Sequence, residues 1–172
     1  MKDSLLLPAS LELCRRPLEA ALGLPIPANW PEDEPMIEAE QPGAIATAII
    51  PMLHKHLLDA KVSYLFVEEK HERDRIKLGH AAKASTKLRF LAQVDYIVEF
   101  NWTAWSDLTA AQRVALVDHE LCHCAGKDDK GKWVEKGHDV EEFTAIVGRW
   151  GPWTGDLQQF GRVMAAQLRL LD

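Results

Sequence analysis

The feature that most constrains the fold is a pair of histidines, His119 and His123, in a segment with helical periodicity. One helical turn contains 3.6 residues, so two imidazoles four residues apart project from the same face of a helix. Thr109 is a candidate N-cap and Gln112 its capping-box partner, which predicts that the helix begins just after Thr109. Gly126 is predicted to end it. Two imidazoles on one face of such a helix can share a single cation.

Glu120 directly follows His119 in the chain. Its side chain is rotated away from the two imidazoles, so it is not expected to bind the metal together with them. It stays close enough to accept a proton from a metal-bound water and to pass it to a leaving amine. Zinc lowers the pKa of bound water towards about 7, so hydroxide is available at neutral pH. The pattern therefore predicts a zinc site with His119 and His123 as ligands and Glu120 as the catalytic base and acid.

A catalytic zinc site needs a third protein ligand and one open position. His138 is the preferred candidate because it begins a predicted helix, 138–150, after an exposed charged loop and can fold back over the histidine pair. Glu141 and Glu142 are its rivals, since carboxylates also complete zinc sites. Glu142 has two other interpretations, as an acceptor that orients an imidazole or as a solvated residue. For Asp118 and Asp139 the solvated interpretation is favoured.

The three cysteines do not form the pattern of a disulfide framework. Cys14, Cys122 and Cys124 are interpreted as reduced thiols in a reducing compartment, which predicts a cytoplasmic protein. Cys122 and Cys124 are predicted to lie off the ligand face of the helix, with Cys122 in the core. A structural zinc held by His and Cys is the alternative, but two thiols two residues apart diverge on a helix.

The chain has 172 residues, of which 47% are hydrophobic and 27% charged, as in an ordinary soluble domain. A chain of this length can bury a core without a metal, so a metal would serve chemistry rather than folding. The longest apolar run, 44–53, contains Pro51 and is far shorter than the roughly 20 residues that a membrane span requires. The Leu-rich stretch 5–7 is too short for a signal peptide.

The organisation before the histidine motif is predicted from proline density and periodicity. Residues 1–42 are expected to be a proline-rich arm with a short helix near 11–22, followed by one domain over 43–172. Apolar residues at every fourth position predict a helix over residues 44–60, kinked at Pro51, with His54 and His56 on its surface. The remaining predicted elements are strands at 62–69, 75–82 and 96–102 and a final helix at 157–171. About three strands in a partly antiparallel sheet beside helices indicate an α+β fold.

The formal net charge is −6, but the stretch 70–89 alone carries +5. A local basic patch can steer an anionic partner such as nucleic acid, although the solvated face of a hairpin is the favoured interpretation. Trp102 and Trp105 would be the stacking platforms of a nucleic-acid surface, but tryptophans are more often part of a core.

At the histidine motif and in the segments around it, over roughly residues 60–153, the chain resembles the SprT-like zinc metallopeptidases and, more closely, the putative phage metallopeptidases. The stretches that carry the resemblance are Leu78–Ala81, Val94–Val98, His119–His123 and His138–Phe143. The resemblance implies His119, His123 and His138 as zinc ligands, Glu120 as catalytic acid and base, and a minimal zincin fold with a short sheet beside the active-site helix. It also implies the host cytoplasm if the chain is phage-encoded.

Two departures from the SprT-like pattern bear on the site and the substrate. Asp139 stands where those proteins usually have glycine, and the C-terminal four-cysteine zinc ribbon of many members is absent. DNA-linked substrates are therefore only weakly suggested by the resemblance.

The first functional hypothesis is a zinc-dependent endopeptidase acting on an extended protein or peptide substrate. The alternative is a non-catalytic zinc-containing interaction module, with or without an association with DNA, although pure metal binding would not need Glu120. Tyr96, His80 and Arg149 are candidates for stabilising the oxyanion, and a structural role is favoured for each. Neither the oligomeric state nor the cleavage preference is legible in the sequence.

Overall fold

The computed structural model describes residues 5, 7–68, 71–72, 75–138 and 142–169, and its fold is α+β, as predicted. The chain forms two compact units, Met1–Gly137 and His138–Asp172. The first unit contains the sheets and the helix that bears His119 and His123, and the second contains two helices. The predicted division between residues 42 and 43 stays a prediction.

The helices and strands of the described residues have the following bounds. The helices are α1 (Arg15–Leu22), α2 (Glu40–Leu53), α3 (Thr86–Ala92), α4 (Trp102–Asp107), α5 (Ala110–His123), α6 (Thr144–Trp150) and α7 (Gly155–Arg169). The strands are β1 (Met36–Glu38), β2 (Val62–Val67), β3 (His71–Glu72), β4 (Arg75–Ile76), β5 (Gly79–Lys83), β6 (Tyr96–Asn101), β7 (Cys124–Lys127) and β8 (Trp133–Glu135). Two short 3₁₀ helices span Ala9–Cys14 and Lys55–Leu57.

The main sheet has four strands in the order β1-β2-β6-β5. Strands β2 and β6 are parallel, and the two outer pairs are antiparallel, so the prediction of a partly antiparallel sheet is confirmed. The sheet has one strand more than predicted, because the three-residue β1 lies within the proline-rich region. The predicted strand at 75–82 is instead two strands: β4 pairs with β3, and β5 joins the main sheet.

One face of the main sheet forms the core of the first unit. Tyr96, Val98 and Phe100 alternate along β6 and are fully buried on that face. Phe100 packs against Trp105 with ring centroids 5.1 Å apart, so Trp105 is a core residue rather than a stacking platform. Full burial of an apolar side chain of this size stabilises the fold by roughly 1.5–3 kcal/mol. Helices α2 and α5 contact each other, and α5 also contacts β5.

Helix α5 begins as predicted but ends earlier. The Thr109 hydroxyl accepts the backbone N–H of Gln112, and the Gln112 side chain accepts the backbone N–H of Thr109, which confirms the capping box. The helix ends at His123 rather than at Gly126. The chain continues directly into β7, where Gly126 takes a left-handed φ of +83° and is therefore part of a strand irregularity, not a helix cap.

The prediction that His54 lies on the surface of a helix is wrong. Helix α2 ends at Leu53, where the backbone of the C-cap residue His54 leaves helical geometry with φ −128° and ψ 48°. His54 turns inward and is only 3% exposed. His56 is exposed, as predicted, and its Nε2 lies 2.9 Å from the carbonyl oxygen of Cys124.

The N-terminal region contains the short helix that was expected near residues 11–22. Helix α1 packs against α2, and the Gln41 side chain donates to the carbonyls of Leu22 and Leu24. These two bonds tie the chain that follows α1 to the first turn of α2.

In the second unit, α6 covers only the end of the helix predicted at 138–150. The sequence predicts that Phe143, Ile146 and Val147 are buried. Phe143 and Ile146 are, but Val147 is 40% exposed, so that part of the prediction is wrong. Gly151, with φ +64°, separates α6 from α7. The predicted end of the last helix, beyond residue 169, lies outside the described residues. None of the described helices has the length and apolar character of a membrane span.

Candidate metal centre

His119 and His123 occupy one face of α5, as their spacing predicts. Their ring centroids are 5.2 Å apart, and one nitrogen of each ring lies within 4.8 Å of the other. A tetrahedral zinc with bonds of 2.0–2.1 Å to imidazole nitrogens holds two such nitrogens roughly 3.3 Å apart. Small side-chain rotations are therefore enough for both rings to share one cation.

The His123 ring is oriented by the backbone that follows β8. Its Nδ1 lies 2.7 Å from the carbonyl oxygen of Lys136, and the Lys136 N–H donates to the His123 carbonyl at 2.9 Å. A carbonyl oxygen only accepts, so Nδ1 must carry the proton and the lone pair of the ring belongs to Nε2. Metal-binding histidines commonly have this arrangement. It depends on a main-chain carbonyl, so no side-chain pattern could have predicted it.

His138 is the first residue of the second unit and is exposed. Its ring packs edge-on against Phe143, with centroids 5.4 Å apart, which gives a physical role to the spacing between these two residues. The predicted helix does not begin at His138, because α6 starts only at Thr144. Covalent geometry keeps the His138 Cα within about 7 Å of the Lys136 Cα. Ligation of a metal by His138 stays a prediction.

Glu142 is buried, so its interpretation as a solvated helix residue is wrong. Its carboxylate accepts the N–H of Phe143 at 2.8 Å and the indole N–H of Trp153 at 3.2 Å, and the residue is 5% exposed. Both of these hydrogen-bond partners lie in the second unit. Its rival Glu141 lies outside the described residues, as does Asp139.

Glu120 is 3% exposed and lies against the backbone of β5. A Cβ atom placed on Gly79 would be 2.5 Å from Glu120 Oε1 and 2.9 Å from its carboxylate carbon. Only glycine therefore leaves room for the carboxylate at this point of the strand. The segment Leu78–Ala81 was noticed in the sequence, but the reason for its glycine is a long-range contact that periodicity cannot show.

A second group of side chains lies beside the histidine pair on α5. Asp118 is fully buried, and its Oδ1 is 2.8 Å from Nε2 of the buried His54. The solvated interpretation of Asp118 is therefore wrong. Cys122, one turn after Asp118, is partly exposed rather than packed in the core, and its sulfur lies within 4.8 Å of the donor atoms of the other two residues.

Cys124 is buried at the start of β7, not on the helix. Removal from water, followed by the nearby Glu120 charge, raises the pKa of its thiol far above the ordinary value. A neutral buried thiol is a poor metal ligand. All three cysteines are free thiols, as predicted.

The hydroxyl of Tyr96 has a structural role. It accepts the N–H of Gly126 at 3.1 Å and donates to the carbonyl of Val134 at 2.6 Å, so it joins β6 to the β7–β8 hairpin. Removal from water raises the pKa of Tyr96 to about 12. Of the other oxyanion candidates, His80 is exposed on β5 and Arg149 lies on α6.

We expect Tyr96→Phe to lower the free energy of unfolding by about 1–3 kcal/mol, because the buried Gly126 N–H loses its acceptor. Urea denaturation of both proteins measures the difference. Tyr64→Phe is the matched control, since the Tyr64 hydroxyl makes no hydrogen bond to any described residue, and it should change stability little. Equal stability of Tyr96→Phe and the parent would contradict this role for the hydroxyl.

The basic stretch 70–89 is partly neutralised where the structure describes it. Arg89 on α3 forms an ion pair with Asp95 at 3.2 Å. The backbone N–H of Lys83 donates to the Glu135 carboxylate, which holds β5 near β8 but does not involve the Lys83 charge. Lys70 and Arg73 lie outside the described residues. Association with nucleic acid stays a prediction.

Comparison with known proteins identifies the family. The family model described as putative phage metallopeptidase matches residues 35–165, a range that includes the main sheet, α5 and His138. No curated protein matches the chain, and neither does any solved structure. The relationship to the SprT-like proteins stays a prediction. Because the match covers most of the chain, this protein belongs to the phage metallopeptidase family.

Proposed function

We propose that the protein is a zinc-dependent endopeptidase in which His119, His123 and His138 bind the metal and Glu120 transfers the proton. The observation that carries this proposal is the combination on α5 of two adjacent imidazoles with a buried carboxylate between them. Family membership supports a metal-dependent peptidase. The identity of the metal as zinc rests on the donor set, because imidazole suits zinc and three protein ligands leave a position open for substrate.

The residues of the site fit a resident zinc ion. The Lys136 carbonyl selects the His123 tautomer whose Nε2 can act as a ligand. The carbonyl of Lys136 contacts the His123 ring, and His138 follows Lys136 by only two residues. This short separation along the chain supports His138 as the third ligand. A zinc ion bound there would polarise the scissile carbonyl and bring the pKa of a bound water towards about 7.

Glu120 is suited to accept the proton of the attacking water and to return it to the leaving amine. Its contact with Gly79 restricts where the carboxylate can lie, and its low exposure limits competing water. A catalytic group held in place avoids an orientation cost in the transition state. These features favour a proton-transfer role over a merely structural one.

Strand β5 favours an extended substrate. It is an edge strand of the main sheet, with β6 as its neighbour there. The Lys83 end of β5 is bonded to Glu135 of β8, so the Gly79 end is the part of the edge proposed for a substrate. An extended peptide can add to such an edge through main-chain hydrogen bonds without requiring a particular sequence. Because Gly79 begins β5 and contacts Glu120, a peptide on this edge would lie near the catalytic carboxylate.

The test is an assay of the zinc-loaded full chain on an unfolded model protein, with products identified by mass spectrometry. We expect internal cleavage that stops on addition of a metal chelator and returns with added zinc. An inactive protein that carries its zinc would contradict the peptidase proposal, and removal of terminal residues alone would contradict its endopeptidase part.

A further inference from the structure

Helix α5 carries a second potential ligand pair that the peptidase proposal does not use. Asp118 and Cys122 are four residues apart, as are His119 and His123, and the two pairs are offset by one residue. One residue corresponds to a rotation of about 100°, so the pairs lie on different flanks of the helix. The chain segment after α2 adds His54 to the Asp118–Cys122 flank.

The three side chains have suitable separations and chemistry for a metal ion. Their donor atoms lie within 4.8 Å of one another, with the His54–Asp118 pair at 2.8 Å. Zinc bonds to nitrogen, oxygen and sulfur of about 2.0–2.3 Å place tetrahedral ligands roughly 3.3–3.6 Å apart. Slight opening of the His54–Asp118 pair and approach of Cys122 would meet those distances.

Burial also favours a cation at this position. Asp118 has no exposed surface, and burying a carboxylate is costly unless it is hydrogen-bonded or coordinates a cation. His54 provides a hydrogen bond, and a metal ion would bind both groups at once. Cys122 is partly exposed, so the cluster can be reached by an ion and a water can fill a fourth position.

We propose that His54, Asp118 and Cys122 form a second zinc site that fastens the end of α2 to the active-site helix. This site is separate from the proposed catalytic centre and does not depend on peptidase activity. Its distinguishing ligand is a thiolate, which the three-histidine centre lacks, and thiolates are among the ligands that suit zinc.

The thiolate makes cobalt the best probe. We expect the full chain, stripped of metal and titrated with Co²⁺, to show a thiolate-to-cobalt charge-transfer absorption band in the near ultraviolet. The band should be lost in Cys122→Ser and retained in Cys14→Ser, a control at a cysteine outside the cluster. It should also remain in the double variant His119→Ala, His123→Ala, which removes the catalytic pair.

Absence of the band in the cobalt-saturated parent, or its persistence in Cys122→Ser, would overturn the proposal. So would its loss in the double histidine variant. A second measurement needs no substitution: bound zinc should slow alkylation of Cys122 at least tenfold in the parent, followed by mass spectrometry. An unchanged alkylation rate with saturating zinc would also overturn it. Neither readout measures cleavage, so failure of this site and failure of the proposed enzyme are distinguishable.

Discussion

Glu120→Gln is expected to lower kcat by about 10²–10⁴-fold while leaving the zinc content of the protein unchanged. The amide has nearly the shape of the carboxylate but cannot accept the proton of the attacking water. The carboxylate is not expected to bind the metal, so its loss should not release zinc. Cleavage of an internally quenched peptide and elemental mass spectrometry on the same preparation measure both quantities.

Glu19→Gln is the matched control, because Glu19 is an exposed residue of α1 and should keep full activity. Full activity of Glu120→Gln would contradict the assigned role. Loss of zinc together with activity would instead indicate that Glu120 supports the metal. An active parent also decides against the alternative of a non-catalytic zinc-containing module, which would have no activity to lose.

Gly79→Ala is expected to lower kcat by about 10²-fold through displacement of Glu120, since misplacement of a catalytic group by about 1 Å can cost that much. The added methyl group would meet the carboxylate at 2.5 Å, so the Glu120 side chain must move. Crowding should also destabilise the fold by about 1–3 kcal/mol. Peptide cleavage and urea denaturation separate the two effects, and the zinc content should be unchanged.

Two variants control the Gly79 experiment. Gly148→Ala adds a methyl group in α6 where, outside the glycine's own turn of helix, no atom of the described residues lies within 4 Å, so it should not lower activity. Glu120→Asp shortens the side chain that the added methyl group displaces. Adding Gly79→Ala to Glu120→Asp should therefore lower kcat by a smaller factor than adding it to the parent. Such non-additivity is expected of residues in contact. A Gly79→Ala protein with the parent's kcat would contradict the placement of Glu120 against β5.

The features that local sequence predicts well are those that a single element determines. The start of α5 follows from Thr109 and Gln112, three residues apart, and the shared face of His119 and His123 follows from helical geometry. The alternating burial of β6 similarly reflects side-chain periodicity within one strand. In each case the interacting residues are neighbours in the chain.

The features that sequence reasoning missed depend on contacts between distant residues. The end of α5 at His123 reflects pairing of β7 with β8 and the hydrogen bond between Gly126 and Tyr96, 30 residues earlier. The burial of His54 depends on its partner Asp118, which is 64 residues away in the chain, and helical periodicity cannot show this contact. The need for glycine at position 79 was missed for the same reason, because the Glu120 side chain that fills the space beside it belongs to α5. Periodicity describes which face a residue occupies but not what covers that face.

The zinc content of the full chain most directly tests the proposed zinc centre on α5 that His138 completes. We expect His123→Ala and His138→Ala each to contain one zinc ion fewer per chain than the parent. Glu142→Gln should lose none, because its carboxylate is held by Phe143 and Trp153. A parent without zinc after reconstitution, or His138→Ala with undiminished zinc, would contradict the proposed centre.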